Sequence, residues 1–466
     1  MSGLKDKFIG DKAFYKKVLL IAIPIIIQNG ITNFVNLLDN IMVGRTGTEQ
    51  MSGVAIINQL YFVFNLAVFG AISGAGIFTA QYAGQKNQKG IRYTLRFKLL
   101  EAVIISVIAA LIMIFFREQL ISLFLHERGE NIDAAATLMY GSRYLYIMLI
   151  GLLPFAVTQC YSGTLRETGQ TFPPMIAGLI AVIVNLVLNY ILIFGNFGAP
   201  ELGVAGAAIA TVTSRFIELF IVAGWTHGHS EKNPFATGLF NGFEIPSSLV
   251  IKILVKGTPL FLNELFWSMG MAALTQCYSV RGLNVVAAFN ISSTIVNVFN
   301  VFLISMGIVV SIMIGQILGS GDMAKALETD NRLIAFSVTF SALLAVVEIL
   351  LSSVFPAFYN TSPEIKKLAA EFISISALFM PVGAFLNCAY FTIRSGGRTF
   401  ITFLFDSVYI WFVSWPVAFF LSRYTDLKIE TLYAIVLSLD FIKVIIGYVM
   451  LKKKIWIRDL VGRTDV

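Results

Sequence analysis

Five polar side chains share one face of the first long apolar segment, residues 18–43, which contains no Lys or Arg and a single carboxylate. At spacings of one, three, four and three residues, they are Gln28, Asn29, Thr32, Asn36 and Asp39. A carboxylate at the centre of a membrane helix costs about 2.5–3.5 kcal/mol on insertion scales, and such groups mark ion or substrate paths. Asp39 is therefore a candidate ion-coupling residue, and Gln28, Asn29 and Asn36 are candidates for lining a substrate cleft.

A second carboxylate, Glu264, begins a similar stripe later in the chain. At spacings of four, three, four and three residues it is followed by Ser268, Met271, Thr275 and Tyr278. Pro259 lies five residues before Glu264 and removes one backbone hydrogen bond, which leaves a carbonyl group free near the carboxylate. Trp267 and Met271 would form a soft apolar wall. We predict that Glu264 is also ion-coupling, and that Trp267, Ser268 and Met271 line the cleft.

Other polar residues in apolar segments have two interpretations each. Asn290 and Asn297 lie on one further stripe and would either line the cleft or hold neighbouring helices together by hydrogen bonds. Glu348 has no polar partner along its helical face, so it is either structural or a further ion site. The opposite charges of Arg215 and Glu218, and of Asp440 and Lys443, are three residues apart and predict local ion pairs, while Asp406 is expected to pair with Arg394 or Arg398.

Twelve apolar segments are long enough to cross a bilayer, which takes about 20 helical residues. They are residues 18–43, 53–83, 99–116, 141–163, 174–194, 203–225, 253–280, 285–316, 333–355, 372–393, 400–421 and 431–451. Of the 466 residues, 57% are apolar and 13% charged, and the mean hydropathy is +0.79. These values predict an all-α integral membrane protein with twelve transmembrane helices.

The formal net charge of +7 is unevenly distributed. When the connecting segments are assigned to alternate sides, 23 of the 34 Lys and Arg residues fall on the side that holds both termini, and nine fall on the other. Positive charge concentrates in cytoplasmic loops. We therefore predict a multi-pass protein of the plasma membrane with both termini in the cytoplasm, and we interpret the basic balance as topology, with no nucleic-acid partner.

The chain contains two copies of one unit. At a shift of 235 residues, Gln81 matches Gln316 and Gly84 matches Gly319. At a shift of 228, CYSGTLRETGQTF (160–172) lies over CAYFTIRSGGRTF (388–400). The predicted organisation is a six-helix bundle over 1–225, a cytoplasmic linker over 226–250 and a second bundle over 251–466. Copies with an even number of helices run parallel, so the bundles would be related by a pseudo-twofold axis, with a cleft between them.

Several motifs resemble those of the multidrug and toxic compound extrusion (MATE) transporters. They are LDNIMVGRTG (38–47), NLVLNYILIFG (185–195), GVAGAAIATVTSR (203–215) and the related TLRETGQT and TIRSGGRT. The resemblance covers nearly the whole chain and implies export of organic cations and other amphiphiles in exchange for sodium or protons. It also implies that Asp39 is the ion-binding aspartate of the first bundle and that Glu264 matches a carboxylate used in several branches.

This chain departs from the family pattern at Asn189, because one bacterial branch has a second aspartate there. We expect Asp39, Asn185, Asn189 and Thr211 to form a sodium site, since one carboxylate, two amides and one hydroxyl supply four oxygens with a single negative charge. The alternative is that Asp39 alone carries a proton and both asparagines hold helices together. The coupling ion, Na⁺ or H⁺, is left open, and no resident cofactor is expected.

Other function classes fit the sequence less well. An enzyme would need a nucleophile with a base, a metal cluster or an acidic pair, and the apolar segments offer no such set. A nucleotide-driven pump would need a G-x-x-x-x-G-K-[ST] loop, which the sequence lacks. The main alternative is a flippase for lipid-linked oligosaccharides, whose cleft would be basic. The predicted partners are a cationic or amphiphilic small molecule and membrane lipid, and the predicted state is a monomer.

The charge distribution makes a direct prediction about topology. We expect the cysteine of a Ser230→Cys variant to be shielded from a membrane-impermeant thiol reagent in intact cells, because the linker would lie in the cytoplasm. The cysteine of a Gly129→Cys variant should react, since residues 126–133 would face outside. Equal labelling of the two variants would contradict the two-bundle scheme.

Overall fold

The computed structural model describes residues 7–125, 133–242 and 244–462, and no strand occurs among them. Position 129 therefore lies outside the described residues. The helices in chain order are α1 (Lys12–Gly44), α2 (Thr48–Gly84), α3 (Gln88–Phe115), α4 (Arg117–Leu125), α5 (Ala134–Ile150), α6 (Leu152–Glu167), α7 (Phe172–Phe194), α8 (Val204–Gly228), α9 (Ser247–Ser279), α10 (Leu283–Ser320), α11 (Met323–Leu351), α12 (Pro363–Ser395), α13 (Thr399–Tyr424) and α14 (Ile429–Lys452).

Each of the twelve predicted segments falls on helical structure. Ten of the described helices are long and apolar enough to cross a membrane, and α5 with α6 makes one further candidate span that is bent by 44°. The bend lies at Gly151, three residues before Pro154, whose ring removes a backbone donor from the first turn of α6. The seventh predicted segment lies in α9, a continuous helix of 33 residues with Pro259 inside it.

The described residues form two compact units. The first unit comprises residues 27–79 and 87–253, and the second comprises residues 7–26, 80–86 and 254–462. The first half of α1 and the last residues of α2 therefore pack with the helices of the second copy. The division of the chain into 1–225, 226–250 and 251–466 stays a prediction.

In the first unit, α3 packs on α6 and α7 packs on α8. The approach of α8 to α7 depends on the small-residue run that precedes Thr211. A Cβ atom at Gly206 would lie 2.5 Å from the carbonyl oxygen of Leu192, so a larger residue would separate the two helices.

The predicted linker between the copies is folded onto α3. The buried guanidinium of Arg96 donates four hydrogen bonds of 2.8–3.3 Å to backbone carbonyl groups between Gly238 and Glu244. Arg92 donates two more, to the carbonyl groups of Pro234 and Phe235. Two arginines on one helical face thus replace the regular hydrogen bonding that this segment lacks.

The core of the second unit is formed by the first half of α1 with α10, α11 and α12. Val18 and Ile25 of α1 belong to the same buried cluster as Met306 of α10. A second cluster lies around Phe372 and Leu432 and includes the side of α9 that carries Leu274. Both clusters are contiguous and apolar, as expected where helices bury their non-polar faces.

Two reciprocal contacts are made where α2 and α10 cross, and each joins the glycine of one copy to the glutamine of the other. A Cβ atom at Gly84 would overlap the carbonyl oxygen of Gln316, and a Cβ atom at Gly319 would overlap that of Gln81. The Gln81 side chain also donates to the carbonyl group of Ser395 at 3.0 Å and accepts from the backbone N–H of Leu460 at 2.7 Å. The segment after α14 is thereby fixed at this crossing.

We predict that Gly319→Ala lowers the free energy of unfolding by about 1–3 kcal/mol, because the added methyl group has no space against the backbone of α2. The matched control is Gly224→Ala, since Gly224 is also helical and nothing would lie within 4 Å of its Cβ atom. Thermal unfolding of the purified variants measures the difference. Equal stability of the two variants would show that the crossing tolerates a side chain.

Candidate functional site

Three polar residues of α7 and α8 come together around Asp39 of α1 in the first unit. Asn189 Nδ2 donates to Asp39 Oδ1 at 2.6 Å and to Asn185 Oδ1 at 3.2 Å, and Asn185 Nδ2 donates to Thr211 Oγ1 at 3.3 Å. Turning the Asn185 amide by half a turn would let its nitrogen donate to both carboxylate oxygens, at 3.0 and 3.1 Å. In either orientation, amide N–H groups hold the carboxylate.

The local sequence explains why these side chains meet. Asn185 and Asn189 are one helical turn apart on α7, so both amides point to the same side. Both residues are buried, at 5% and 1% exposure. Thr211 follows the small residues that bring α8 close to α7, which allows short polar side chains to reach each other.

The donor set around Asp39 fits a small hard cation. Hard cations are bound by carboxylate, carbonyl and hydroxyl oxygens, and these four residues carry all three kinds. Asn189 Oδ1 is buried and has no hydrogen-bond partner among the described residues. A buried acceptor without a partner is unfavourable, so this oxygen remains available for a cation.

Arg215 also acts on Asp39, a contribution that the sequence did not predict. Its guanidinium interacts electrostatically with the carboxylate, pairs with Glu218 at 3.2 Å, as predicted, and lies 5.1 Å above the ring of Phe155. The signal in the sequence is its position four residues after Thr211, on the same face of α8. Tyr144 is a second residue near Asp39, and no pattern in the sequence indicated it.

Three further candidates of the first unit lie on α1. Gln28 bridges α6 and α7, because its Oε1 accepts from Arg166 Nη2 at 3.2 Å and its Nε2 donates to the carbonyl group of Pro174 at 3.3 Å. Asn29 is half-buried, and the side chain of Asn36 lies outside the described part. A cleft-lining role for these three residues stays a prediction.

In the second unit, Glu264 is half-buried on α9 and interacts electrostatically with Arg394 and Asp406. The hydroxyl of Ser268 donates to the carbonyl group of Leu265 at 2.8 Å, within its own helix.

Other candidates of the second unit differ in burial. Trp267 packs against the cluster around Phe372, and Met271 is 42% exposed. Asn290 and Asn297 are exposed on α10. Their predicted roles in the cleft stay predictions.

Glu348 is almost fully buried, and its Oε1 has no hydrogen-bond partner among the described residues. Tyr433 of α14 interacts with it electrostatically. Both interpretations of Glu348, structural residue and further ion site, stay open.

Lys443 interacts electrostatically with Asp440, its predicted partner. Its ammonium also lies 3.2 Å from Asp406 Oδ1 on the neighbouring helix α13, a contact that the sequence did not predict. The physical reason for this contact is the length of the lysine side chain. A lysine side chain is long enough to extend past Phe405 and Tyr409 of α13, whose rings lie 5.3 and 5.6 Å from its ammonium.

A family model, MatE, matches residues 24–191 and 259–425 of the chain. The probable multidrug resistance protein NorM of Thermotoga maritima is 26% identical over 416 residues, which cover 88% of this chain and 86% of that protein. The multidrug resistance protein PmpM of Pseudomonas aeruginosa is 26% identical over 414 residues, covering 88% of this chain and 84% of that protein.

Two solved structures are similar over nearly the whole chain. The outward-facing conformation of a multidrug resistance MATE family transporter of the MOP superfamily has a TM-score of 0.83, with 19% identity over 98% of both chains. An Asp-to-Asn mutant of the Vibrio cholerae MATE transporter VcmN also has a TM-score of 0.83, with 16% identity over 95% of this chain and 97% of that one. At this identity the likeness establishes the fold, and it confirms the predicted all-α architecture of twelve helices in two lobes.

Proposed function

Because this chain belongs to the family of multidrug and toxic compound extrusion (MATE) transporters, we propose that it exports organic cations or other amphiphilic molecules against Na⁺ or H⁺ by alternating access. The observation that supports ion coupling is the carboxylate of Asp39, held inside the first unit by amide groups. A membrane-embedded carboxylate whose hydrogen-bond partners are neutral gains a compensating charge when a cation binds, which lowers the cost of keeping it in lipid.

The coupling ion of this proposal is sodium. An amide presents either an N–H donor or a carbonyl acceptor to the same point, depending on its rotation. In the structure the N–H side of Asn189 faces Asp39, which compensates the carboxylate without an ion. Presenting the oxygens of Asn185 and Asn189 instead would serve a bound sodium. Protonation of Asp39 would need no such oxygen ligands, so the two amides favour sodium.

The substrate of this proposal is cationic or neutral, because three bases of the described helices are paired with carboxylates. Lys98 contacts Glu167, Arg215 contacts Glu218, and Lys443 contacts Asp406. These three ion pairs offer no uncompensated positive charge to a diphosphate, the group that the flippase alternative would have to bind. We also propose that the protein is a monomer of the plasma membrane. The charge distribution favours an orientation with both termini in the cytoplasm.

We predict that sodium raises the thermal unfolding temperature of the purified protein in a saturable way, since a ligand of the folded state adds RT ln(1 + [L]/Kd) to its stability. This amounts to about 2.7 kcal/mol at 100 times the dissociation constant. Potassium should have no comparable effect. The Asp39→Asn variant should lose the sodium response, because the carboxylate supplies the only negative charge of the quartet.

The matched control is Asn196→Ala, which removes an exposed amide just beyond the end of α7 and leaves the quartet intact. This variant should respond to sodium like the unmodified protein. A sodium response that survives Asp39→Asn would place the site elsewhere. No sodium response in the unmodified protein would favour proton coupling by Asp39 alone.

We also predict that Glu264→Gln keeps the protein folded and reduces export of cationic substrates by at least about tenfold, because the negative charge of the Glu264 carboxylate is lost from the second unit. Efflux of a fluorescent organic cation such as ethidium from expressing cells measures this effect. Expression and thermal stability of the variant are the controls. Undiminished export by a well-expressed variant would exclude Glu264 from the mechanism.

A further inference from the structure

The second unit encloses a positive charge in a polar cradle that is separate from the quartet around Asp39. Lys443 is 8% exposed, its ammonium contacts Asp406 at 3.2 Å, and the rings of Phe405 and Tyr409 flank it. A carboxylate and aromatic faces are the groups that bind ammonium ions in proteins. The chain therefore supplies its own cation to this cradle.

A second carboxylate, that of Asp440, interacts electrostatically with both Lys443 and Asp406, and neutral polar groups complete the cradle. Asn263 Nδ2 donates to Asp406 Oδ2 at 3.3 Å and to the hydroxyl of Tyr390 at 3.2 Å. Ser407 Oγ donates to Asn263 Oδ1 at 2.7 Å and to the Asn263 carbonyl group at 2.8 Å. Asn263 and Ser407 are buried at 1% and 0% exposure, so these hydrogen bonds fix the position of the Asp406 carboxylate.

The helix that carries Asp406 is locally wound as a π-helix, over Leu404–Val408 and Ile410–Ser414. Wider turns of this kind are rare and are found frequently at functional sites. Here Asp406 and Ser407, two adjacent residues, both contact Asn263 of α9.

The two units thus contain the same kinds of group. Amide and hydroxyl groups lie around the carboxylate of Asp39, and amide and hydroxyl groups also lie around the carboxylate of Asp406. At the shift of 228 residues that relates the copies, Lys443 corresponds to Arg215. Arg215 pairs with Glu218 on its own helix, whereas Lys443 lies directly on the carboxylate of the cradle.

We propose that Lys443 is a tethered counter-cation, which occupies a monovalent cation position at the Asp406 carboxylate that Asn263 and Ser407 hold in place. Lys443 neutralises Asp406 permanently and prevents it from taking up a coupling ion. Glu264, which faces both Asp406 and Arg394, is then the carboxylate of this region that takes part in exchange. Lys443 is a positioning residue, and its role in exchange rests on the proposed antiport function.

The test uses the full-length protein with Asp39→Asn as the parent, so that the proposed site of the first unit contributes nothing. Thermal unfolding is measured against sodium concentration, with N-methylglucamine replacing sodium at constant ionic strength. Adding Lys443→Gln to the parent should create a saturable rise in unfolding temperature with sodium, because Asp406 is left without its cation. Adding Asp406→Asn as well should remove that rise. Lys452→Gln, which removes an exposed lysine of the same helix, should leave the parent unchanged.

A Lys443→Gln variant that is less stable at every sodium concentration, with the sodium dependence of its parent, would overturn the proposal and leave Lys443 a structural brace. This outcome is measured in the Asp39→Asn parent and concerns the Asp406 carboxylate alone. Failure of the Asp39 site would instead appear as a missing sodium response in the unmodified protein.

If Lys443→Gln does not yield folded protein, binding of ethidium decides. Asp406→Asn removes the carboxylate that contacts the Lys443 ammonium, which adds net positive charge near Glu264 and should weaken binding by about tenfold. The double variant Asp406→Asn, Lys443→Gln should restore it, because both charges are gone. A double variant that binds no better than Asp406→Asn would contradict the proposal.

Discussion

A charge in the hydrocarbon region of a membrane must be compensated by groups of the protein itself, and the internal organisation of both units depends on this constraint. In the first unit, amide groups compensate Asp39. In the second unit, the carboxylate of Asp406 is compensated by an ammonium. Lys98, a fully buried base at the end of a membrane span, is also compensated, because its ammonium contacts Glu167 and Thr164. Each of these contacts joins two helices.

This constraint also determines how closely the helices pack. Aspartate, asparagine and threonine side chains are short, so the helices that carry them must pack closely for these side chains to form hydrogen bonds. Gly206 allows this between α7 and α8, beside the quartet of the first unit. Lys443 illustrates a second solution, because its long side chain reaches Asp406 from α14. Sequence composition and site chemistry are thus coupled through the distance between helices.

The positions of the helices could be predicted from the sequence because bilayer thickness sets the length of apolar segments. The quartet around Asp39 was also within reach, since Asn185 and Asn189 share a helical face and Thr211 follows a run of small residues. The contact of Lys443 with Asp406 was not, because it depends on which helix faces the lysine. The contacts of Arg96 with the linker and of Gln81 with the C-terminal segment join residues over a hundred positions apart, and no periodicity reports such contacts.

We propose that a sodium gradient drives export through Asp39. The most direct measurement is flux of an organic cation by the purified protein in liposomes, with a sodium gradient and a pH gradient imposed separately. We expect a sodium gradient alone to drive substrate movement in the opposite direction, and Asp39→Asn to abolish this movement. Flux that a pH gradient alone sustains, or that Asp39→Asn leaves intact under a sodium gradient, would contradict it.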